Sequence, residues 1–256
     1  MLTTAIEAAK AAGAIMLDHA AQTKTVRFKD SYNIVSDVDV AAEKIILEIL
    51  QKNFPNHSIF SEEQGLTDRG SDYVWVVDPL DGSTNYIRNL HHADVSIALV
   101  RNNQVQIGVV YDPFHDELFA AEAGKGATLN GGTLQPNATT DMDKVLLNMG
   151  RSGSADAKQD HGNLLAHLTN KVRSIRVMGA TALNICYVAA GRFDGHIYHQ
   201  CAFYDCAAAN LIAQESGLLV TDLRGEPWQL DMEQTSDLLV TTSTLQPKFL
   251  EAIRNQ

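Results

Sequence analysis

A mixed α/β fold is what this sequence predicts, and three observations predict it. The chain opens with two stretches of helical periodicity, passes through a block of short β-branched runs, and closes with regularly alternating strands and helices. Its 256 residues, 45% hydrophobic and 20% charged, suffice for one large domain or two fused smaller ones, and are unlike a disordered chain.

Ile6, Ala9, Gly13 and Met16, with Leu2 and Ala5, recur at three-to-four spacing and predict an amphipathic opening helix. Residues 26–35 mix charges with Tyr32 and Asn33 and read as a strand or loop excursion. A second helix is predicted over 38–53, where Ala41/Ala42, Ile45/Ile46 and Ile49/Leu50 repeat every fourth residue. Asp37 and Asp39 suit the unpaired N–H groups at its start, and Phe54-Pro55-Asn56 stops it.

Short strands are then predicted at 73–77, 95–100, 105–111 and 117–121, with Arg101-Asn102-Asn103 as a hairpin turn between the middle two. Ala123-Gly124-Lys125-Gly126 and Asn130-Gly131-Gly132 read as further turns. The apolar-poor segment 137–143 is the expected boundary between an α+β unit over 1–138 and an α/β unit over 139–256. In the second unit, strands are predicted at 145–148, 175–177, 196–199, 218–221 and 238–241. Helices are predicted at 155–168, 181–189, 206–215 and 246–254. No Gly-x-Gly-x-x-Gly follows a strand, which argues against a dinucleotide fold.

Thirty-one acidic residues against twenty basic give a formal charge of −11, the opposite of a nucleic-acid-binding footprint. An anionic substrate stays open, since a bound cation reverses the sign of a local site. Cys186, Cys201 and Cys206 form no Cys-x-x-Cys pair and read as buried free thiols of a reducing compartment. Glu7 and Lys10 interrupt what a signal peptide would keep apolar, and no run approaches a membrane span. A soluble cytoplasmic protein without membrane or nucleic-acid partners is the expectation.

The densest chemical signal is Val76-Val77-Asp78-Pro79-Leu80-Asp81-Gly82-Ser83-Thr84-Asn85. An apolar strand runs into two carboxylates three residues apart, then a glycine, two hydroxyls and an amide. Carboxylates at a strand end can converge on one hard cation. Gly82 permits close backbone approach, and the N–H groups after it can receive a phosphate. Alone, the same residues also read as an Asx-Pro turn followed by an Asp-Gly turn. Ser61-Glu62-Glu63-Gln64-Gly65, alone, reads as a solvated loop after Ile59-Phe60. Tyr204-Asp205-Cys206-Ala207-Ala208, alone, reads as an N-cap before an apolar helix.

In combination and in this order, the Glu-Glu pair, Asp-Pro-Leu-Asp-Gly-Ser-Thr-Asn and Asp-x-Ala-Ala resemble the inositol monophosphatase family, whose superfamily includes fructose bisphosphatases and nucleotide-3′-phosphatases. The resemblance extends to Asn33-Ile34-Val35-Ser36-Asp37-Val38-Asp39, Val95-Ser96-Ile97-Ala98-Leu99 and Gly179-Ala180-Thr181-Ala182-Leu183-Asn184, across nearly the whole chain. It implies a layered α-β-α-β-α sandwich, a site between two subdomains, and commonly a homodimer. It implies two to three magnesium ions, with Glu63, Asp78 and the Leu80 carbonyl holding one. Asp78, Asp81 and Asp205 would hold a second, and Glu63 again a weaker third. Asp39 and Ser83 would position and activate the attacking water, and the N–H groups of Gly82 and Ser83 would hold phosphate oxygens. Gly179, Ala180, Thr181, Tyr198, Asp81 and Asp205 would complete the substrate site. Lithium inhibition is implied as well.

The chemistry agrees with this reading. Two cations can lower the pKa of water, clamp a phosphoryl group and stabilise a departing alkoxide without a covalent intermediate. Haloacid dehalogenase phosphatases space their two aspartates by two residues, whereas Asp78 and Asp81 stand three apart. A non-catalytic partner-binding protein of the same fold would carry a broken ligand set, and every expected carboxylate is present here.

The departures bear on substrate. Family members that prefer inositol phosphates carry a glutamate seven residues before the last metal-binding aspartate. Here that residue is Tyr198, which can donate one hydrogen bond but cannot act as a carboxylate acceptor pair. Ser83 replaces the usual Thr, Tyr204 the usual Trp, and Ala180-Thr181 the common Thr-Ala. His91, His92, His196 and His199 are candidates for the leaving-group pocket or for packed and surface positions. Arg173 and Arg176 are candidates for a second phosphate or for a solvated strand face. The expected substrates are inositol or sugar monophosphates first and fructose 1,6-bisphosphate second. Histidinol phosphate or nucleotide 3′-phosphates come third.

Overall fold

The computed structural model describes residues 1–22, 25–28 and 34–255, with Phe28, Ile34 and Val35 described through their backbone alone. The first half contains α1 (Leu2–His19), β1 (Val26–Phe28), β2 (Ile34–Ser36), α2 (Asp37–Asn53), β3 (Ser58–Ser61), β4 (Gly65–Thr67) and β5 (Tyr73–Asp81). Then come α3 (Ser83–Ile87), β6 (Asp94–Arg101), β7 (Gln104–Asp112), β8 (Glu117–Glu122), β9 (Ala127–Leu129) and β10 (Gly132–Thr133). The second half contains β11 (Leu146–Arg151), α4 (Ala155–Leu168), β12 (Ser174–Arg176), α5 (Thr181–Ala189) and β13 (Gly195–Cys201). It closes with α6 (Phe203–Glu215), β14 (Leu219–Thr221), β15 (Ser236–Thr241) and α7 (Gln246–Arg254).

The strands make an eight-stranded sheet in the order β10-β9-β8-β7-β6-β5-β3-β4 and a five-stranded sheet in the order β12-β11-β13-β15-β14. β1 and β2 pair separately, antiparallel, in the region expected to be a strand or loop excursion. Residues 29–33 between them, with Tyr32 and Asn33, lie outside the described residues.

Five layers result. Alternate residues of a strand face opposite sides, so β5 and β6 send Trp75, Val77, Ile97 and Leu99 to one face and Val76, Ala98 and Val100 to the other. On the first face lie α1 and α2, through Ala5, Ala9, Ala12, Met16, Ala42, Ile46 and Leu50. The alanines let α1 approach closely: a Cβ on Gly13 would stand 2.6 Å from Cε1 of Tyr111 on β7. On the second face α5 and α6 form the central layer, where Ala182, Ile185, Ala208 and Ile212 meet Val76 and Ala98 of one sheet and Leu238 and Val240 of the other. A Cβ on Gly108 would collide with the carbonyl of Ala208, so β7 requires glycine there. α4 and α7 cover the far face, with Leu164, Leu168, Phe249 and Ile253 against Leu147, Met149, Ile197 and Leu239. Each such fully buried aliphatic or aromatic side chain contributes roughly 1.5–3 kcal/mol. This is the α-β-α-β-α order that the resemblance implied.

Two local features shape the central strands of the larger sheet. Asn102 and Asn103, at φ 51° and 57°, close the β6–β7 hairpin in the left-handed pair that a two-residue turn of this hand requires. β5 continues past its apolar run to Asp81, and its pairing with β6 shifts register between Asp78 and Asp81. Pro79 has no N–H to give the ladder, and the irregularity around it is the expected consequence.

Candidate functional site

The irregular end of β5 delivers Asp78, Leu80 and Asp81 to one cavity of about 340 Å³, and six other segments complete its lining. Gly82 turns the chain at φ 86°. A Cβ there would stand 3.0 Å from the His92 carbonyl oxygen and 3.1 Å from the Ala180 Cβ, so both backbone angle and space select glycine. α3 then supplies Ser83, Thr84 and Asn85. The turn after β3 supplies Glu62, whose N–H donates to the Val77 carbonyl at 3.1 Å. β11 ends in Gly150 and Arg151, the segment before α5 brings Val177, Gly179 and Ala180, and α5 begins with Thr181. β13 contributes Tyr198 and the first turn of α6 contributes Asp205.

Hydrogen bonds fix the parts. Asp78 Oδ1 accepts the Leu80 N–H at 3.0 Å, and Asp81 Oδ2 accepts the Ala182 N–H at 2.7 Å, tying the strand end to the start of α5. Asn85 Nδ2 donates to the carbonyls of His92 at 2.9 Å and Met178 at 2.7 Å, joining α3 to the same segment. Ser36 caps α2 reciprocally with Asp39: its N–H and hydroxyl both donate to Asp39 Oδ2, and its hydroxyl accepts the Val38 N–H. Asp39 Oδ1 in turn lies 3.0 Å from the Ser83 hydroxyl, which is also 3.0 Å from the Leu80 carbonyl oxygen. Glu43 of α2 accepts the N–H groups of Glu63 and Gln64 at 3.2 and 3.3 Å and the Gln64 side-chain amide at 2.8 Å.

The electrostatics are those of crowded, buried acids. Burial raises the Asp78 carboxyl well above the usual carboxylate range, and the charges of Glu62, Asp81, Asp205 and Asp94 add to it. Burial pushes Asp81 up to about 7, partly offset by the Ala182 N–H and by Asp94. Asp39 is raised by burial too, with its bonds to Ser36 and Ser83 acting the other way. Each upward shift expresses the cost of holding a carboxylate charge away from water, a cost that a bound cation would offset.

Magnesium fits the chemistry of this donor set. Glu62, Asp78, Asp81, Asp205 and the Leu80 carbonyl offer oxygen alone, and among the described residues the cavity lining contains no imidazole or thiol, which suits a hard cation. Among the described residues no three acidic, histidine or cysteine side chains already converge as a finished metal cage. The carboxylates line one cavity, and it is there that they would hold a cation.

The cavity brings together most of the residues singled out from sequence: Asp78, Leu80, Asp81, Gly82, Ser83, Gly179, Ala180, Thr181, Tyr198 and Asp205. Asp39 stands behind Ser83. Glu63 is the exception. The cavity takes Glu62 from the pair, while the Glu63 N–H faces Glu43 on α2. Adjacent residues past a strand end point in different directions, and spacing alone cannot choose between them. Asp205 is not the N-cap of its helix, since α6 begins two residues earlier at Phe203 with Ala202 as its cap.

None of His91, His92, His196 and His199 lines the cavity. His92 lies 3.0 Å from Asn184 Oδ1, His196 lies 2.8 Å from Asn148 Oδ1, and His91 stacks on Phe114. Arg173 and Arg176 do not line it either, and the Arg176 guanidinium bonds to Ser174 and Ile175 of its own strand. Sequence reasoning quotes Glu62, Thr84 and Asn85 in its motifs without giving them a role, and passes over Gly150, Arg151 and Val177 in the lining and Asp94 and Glu43 behind it. Gly150-Arg151 at a strand end and Asp94 opening an apolar strand are the available signals.

Comparison with known proteins agrees over the full length. The model of the inositol monophosphatase family matches residues 1–256. The chain is 38% identical over 229 residues to the Nus factor SuhB of Escherichia coli K12, covering 88% of this chain and 86% of that one. The structure is similar to the inositol monophosphatase of Anabaena (Nostoc) sp. PCC 7120, with a TM-score of 0.86 and 34% identity over 99% of this chain and 95% of that one. It is also similar to the extragenic suppressor protein suhB of Bartonella henselae, with a TM-score of 0.91 and 29% identity over 98% and 97% of the two chains.

Proposed function

Because the chain belongs to the inositol monophosphatase family, we propose that it is a magnesium-dependent phosphatase of small phosphate monoesters. The observation that carries this reading is the gathering of Glu62, Asp78, Asp81, Asp205 and the Leu80 carbonyl around one cavity, with the Asp39–Ser83 pair at its side. Glu62 takes the ligand role that the sequence reading gave to Glu63. When bound, magnesium ions would supply Lewis-acid activation of phosphorus and of water and would neutralise the leaving oxygen.

The protein's own groups do the rest. Glu62, Asp78, Asp81, Asp205 and the Leu80 carbonyl would hold the cations, with Asp78 central. The Ser83 hydroxyl, oriented by Asp39, accepts a proton from an attacking water and relays it to the carboxylate. The N–H groups of Gly82 and Ser83 hold the phosphate oxygens in line. Gly179, Ala180, Thr181 and Tyr198 face the leaving group. Tyr198 gives a polyol no carboxylate to bind, so the substrate is a small sugar or polyol phosphate other than one selected through such a carboxylate.

Lithium inhibition, a homodimer and a cytoplasmic site of action belong to the same proposal, and three buried free cysteines suit a reducing compartment. No helix among the described residues is long and apolar enough to cross a membrane. The relatives named Nus factor SuhB favour a second reading, a regulatory role beside or in place of catalysis. The complete carboxylate set favours catalysis. Phosphate release is to be measured from inositol 1-phosphate, fructose 1,6-bisphosphate, histidinol phosphate and adenosine 3′,5′-bisphosphate, each with magnesium and with excess chelator. Release that needs magnesium supports the phosphatase; no release from any ester, with magnesium binding confirmed calorimetrically, turns the assignment to the regulatory reading.

A further inference from the structure

The cavity has two chemically different ends. Its acidic end carries the buried Asp78 and Asp81, 2% and 8% exposed, beside the half-buried Glu62 and Asp205. Its outer end carries Gly150, Tyr198, the exposed Val177 and the exposed Arg151. Arg151 is the one basic side chain in the lining among the described residues. A phosphoryl group held at the carboxylate end, with its cations, leaves the remainder of the ester facing Arg151.

Backbone register fixes this outer wall. β11 and β13 run parallel with Gly150 opposite Tyr198 and Arg151 opposite His199. A Cβ on Gly150 would stand 2.6 Å from Cδ2 and 2.7 Å from Cε2 of Tyr198, so the ring lies directly on the glycine backbone, and Arg151 comes next at the strand end. The Tyr198 hydroxyl is engaged with the Thr181 side chain. The wall therefore offers a ring and an apolar Val177, and one guanidinium for polar recognition. Arg192 and Arg224 are paired with Glu117 and Asp222. The Arg151 guanidinium bonds to the neutral Ser152 carbonyl at 3.0 Å and to no carboxylate among the described residues. An arginine fork left without a carboxylate, at the mouth of a cavity, is suited to a planar or tetrahedral anion.

We propose that Arg151 determines specificity by binding a second anionic group, phosphate or carboxylate, on the leaving alcohol. The proposal rests on the phosphatase reading of the cavity. Arg151 acts on the leaving group alone, so esters with an uncharged remainder turn over without its help.

The test uses two matched pairs of substrates on the full-length protein with magnesium: fructose 1-phosphate against fructose 1,6-bisphosphate, and glycerol 3-phosphate against 3-phosphoglycerate. The expected result is a preference in kcat/KM of about tenfold for the doubly anionic partner of at least one pair, the size of one solvent-exposed charge-assisted contact. The pair that carries it identifies the anion as phosphate or carboxylate. Arg151→Met should bring that pair to near parity, by lowering kcat/KM for the partner with the second anion far more than for the partner with an uncharged remainder, and Arg151→Lys should keep part of the preference. The wild-type preference should also fall as salt rises. Equal rates within both pairs in the wild type, or a preference that survives Arg151→Met, overturn the proposal while the phosphatase stands. No magnesium-dependent release from these four esters or from the panel that tests the phosphatase reading overturns both.

Discussion

Ser83 of α3 and Asp39 of α2 meet at 3.0 Å, Oγ to Oδ1, although 44 residues separate them in the chain. The same hydroxyl is 3.0 Å from the Leu80 carbonyl oxygen. A hydroxyl has one proton, so it donates to one of these oxygens at a time and keeps lone pairs free to accept. Ser83→Ala should therefore lower kcat by about a hundredfold or more, the scale of a lost proton-transfer group. Ser83→Thr, which keeps the hydroxyl, should retain most of the rate. Magnesium titrations of both variants should give the wild-type midpoint; a weakened midpoint in Ser83→Ala would make Ser83 a metal-site residue instead.

Glu43 is 1% exposed and holds the turn that carries Glu62 through three accepted hydrogen bonds. Glu43→Gln turns one acceptor into an amide that faces the Gln64 amide, donor against donor. A loss of about 1 kcal/mol in stability is expected, the scale of replacing charge-assisted hydrogen bonds by neutral ones, since the exposed Gln64 can turn its amide or bond to water. Positioning is tested separately from stability. At a temperature where the variant is fully folded, the magnesium concentration for half-maximal turnover should rise, and Glu43→Gln combined with Gln64→Glu should partly restore it.

The layered fold is legible in the sequence because its signals are periodic and local. The helices Ala155–Leu168, Thr181–Ala189 and Gln246–Arg254 stand where their apolar spacing puts them. The first sheet ends at Thr133 and the second begins at Leu146, on either side of the polar segment 137–143. Direction is what spacing does not carry. Glu62 and Glu63 are chemically identical neighbours, and the turn, held by the Glu62 N–H on Val77 and the Glu63 N–H on Glu43, puts Glu62 in the cavity lining. The apolar run predicts that β5 stops at Val77, before a proline, yet the strand absorbs Pro79 in a register shift and carries both aspartates on its end. Asp94 is visible in the sequence only as the residue that opens an apolar strand; the structure shows it 0% exposed beside Asp81, where its hydrogen bond holds the Asp81 carboxyl down. Such groups are visible only once non-local contacts are known.

Asp81→Asn should separate stability from function. Burial holds the Asp81 carboxyl at about 7, so above that pH the folded protein carries a poorly solvated charge near Asp78 and Asp94. An asparagine can still accept the Ala182 N–H through its amide oxygen while removing the charge. At pH 8 without metal, the variant should be as stable as the wild type or more stable by roughly 1–3 kcal/mol. Its turnover with magnesium should be almost abolished. Urea denaturation and phosphate release on the same sample would check both. A variant less stable than wild type in chelator would assign Asp81 a structural role first.

The second sheet should be sensitive to acid through His196. This imidazole is 0% exposed, and burial lowers its pKa from the usual 6.5 to about 3. Its Nδ1 lies 2.8 Å from Asn148 Oδ1 across the β11–β13 pair, so the neutral ring donates there. Between those pKa values the unfolded chain binds a proton at this residue and the folded chain does not. Stability therefore rises with pH across the window, and is lost as pH falls from about 6.5 toward 3. The size is on the order of 3 kcal/mol between pH 7 and pH 4, at 1.36 kcal/mol per unit for a fully buried group. Carboxylates and the buried His161 and His199, both also lowered by burial, add their own slopes, so the comparison must be between variants. Removing both partners by His196→Leu with Asn148→Leu takes away the titrating group without leaving a lone buried polar atom. Denaturation midpoints of the double variant from pH 7 to pH 4 should fall less steeply than those of the wild type. Parallel slopes would mean that His196 is protonated in the folded protein, and that Asn148 holds an imidazolium in the sheet.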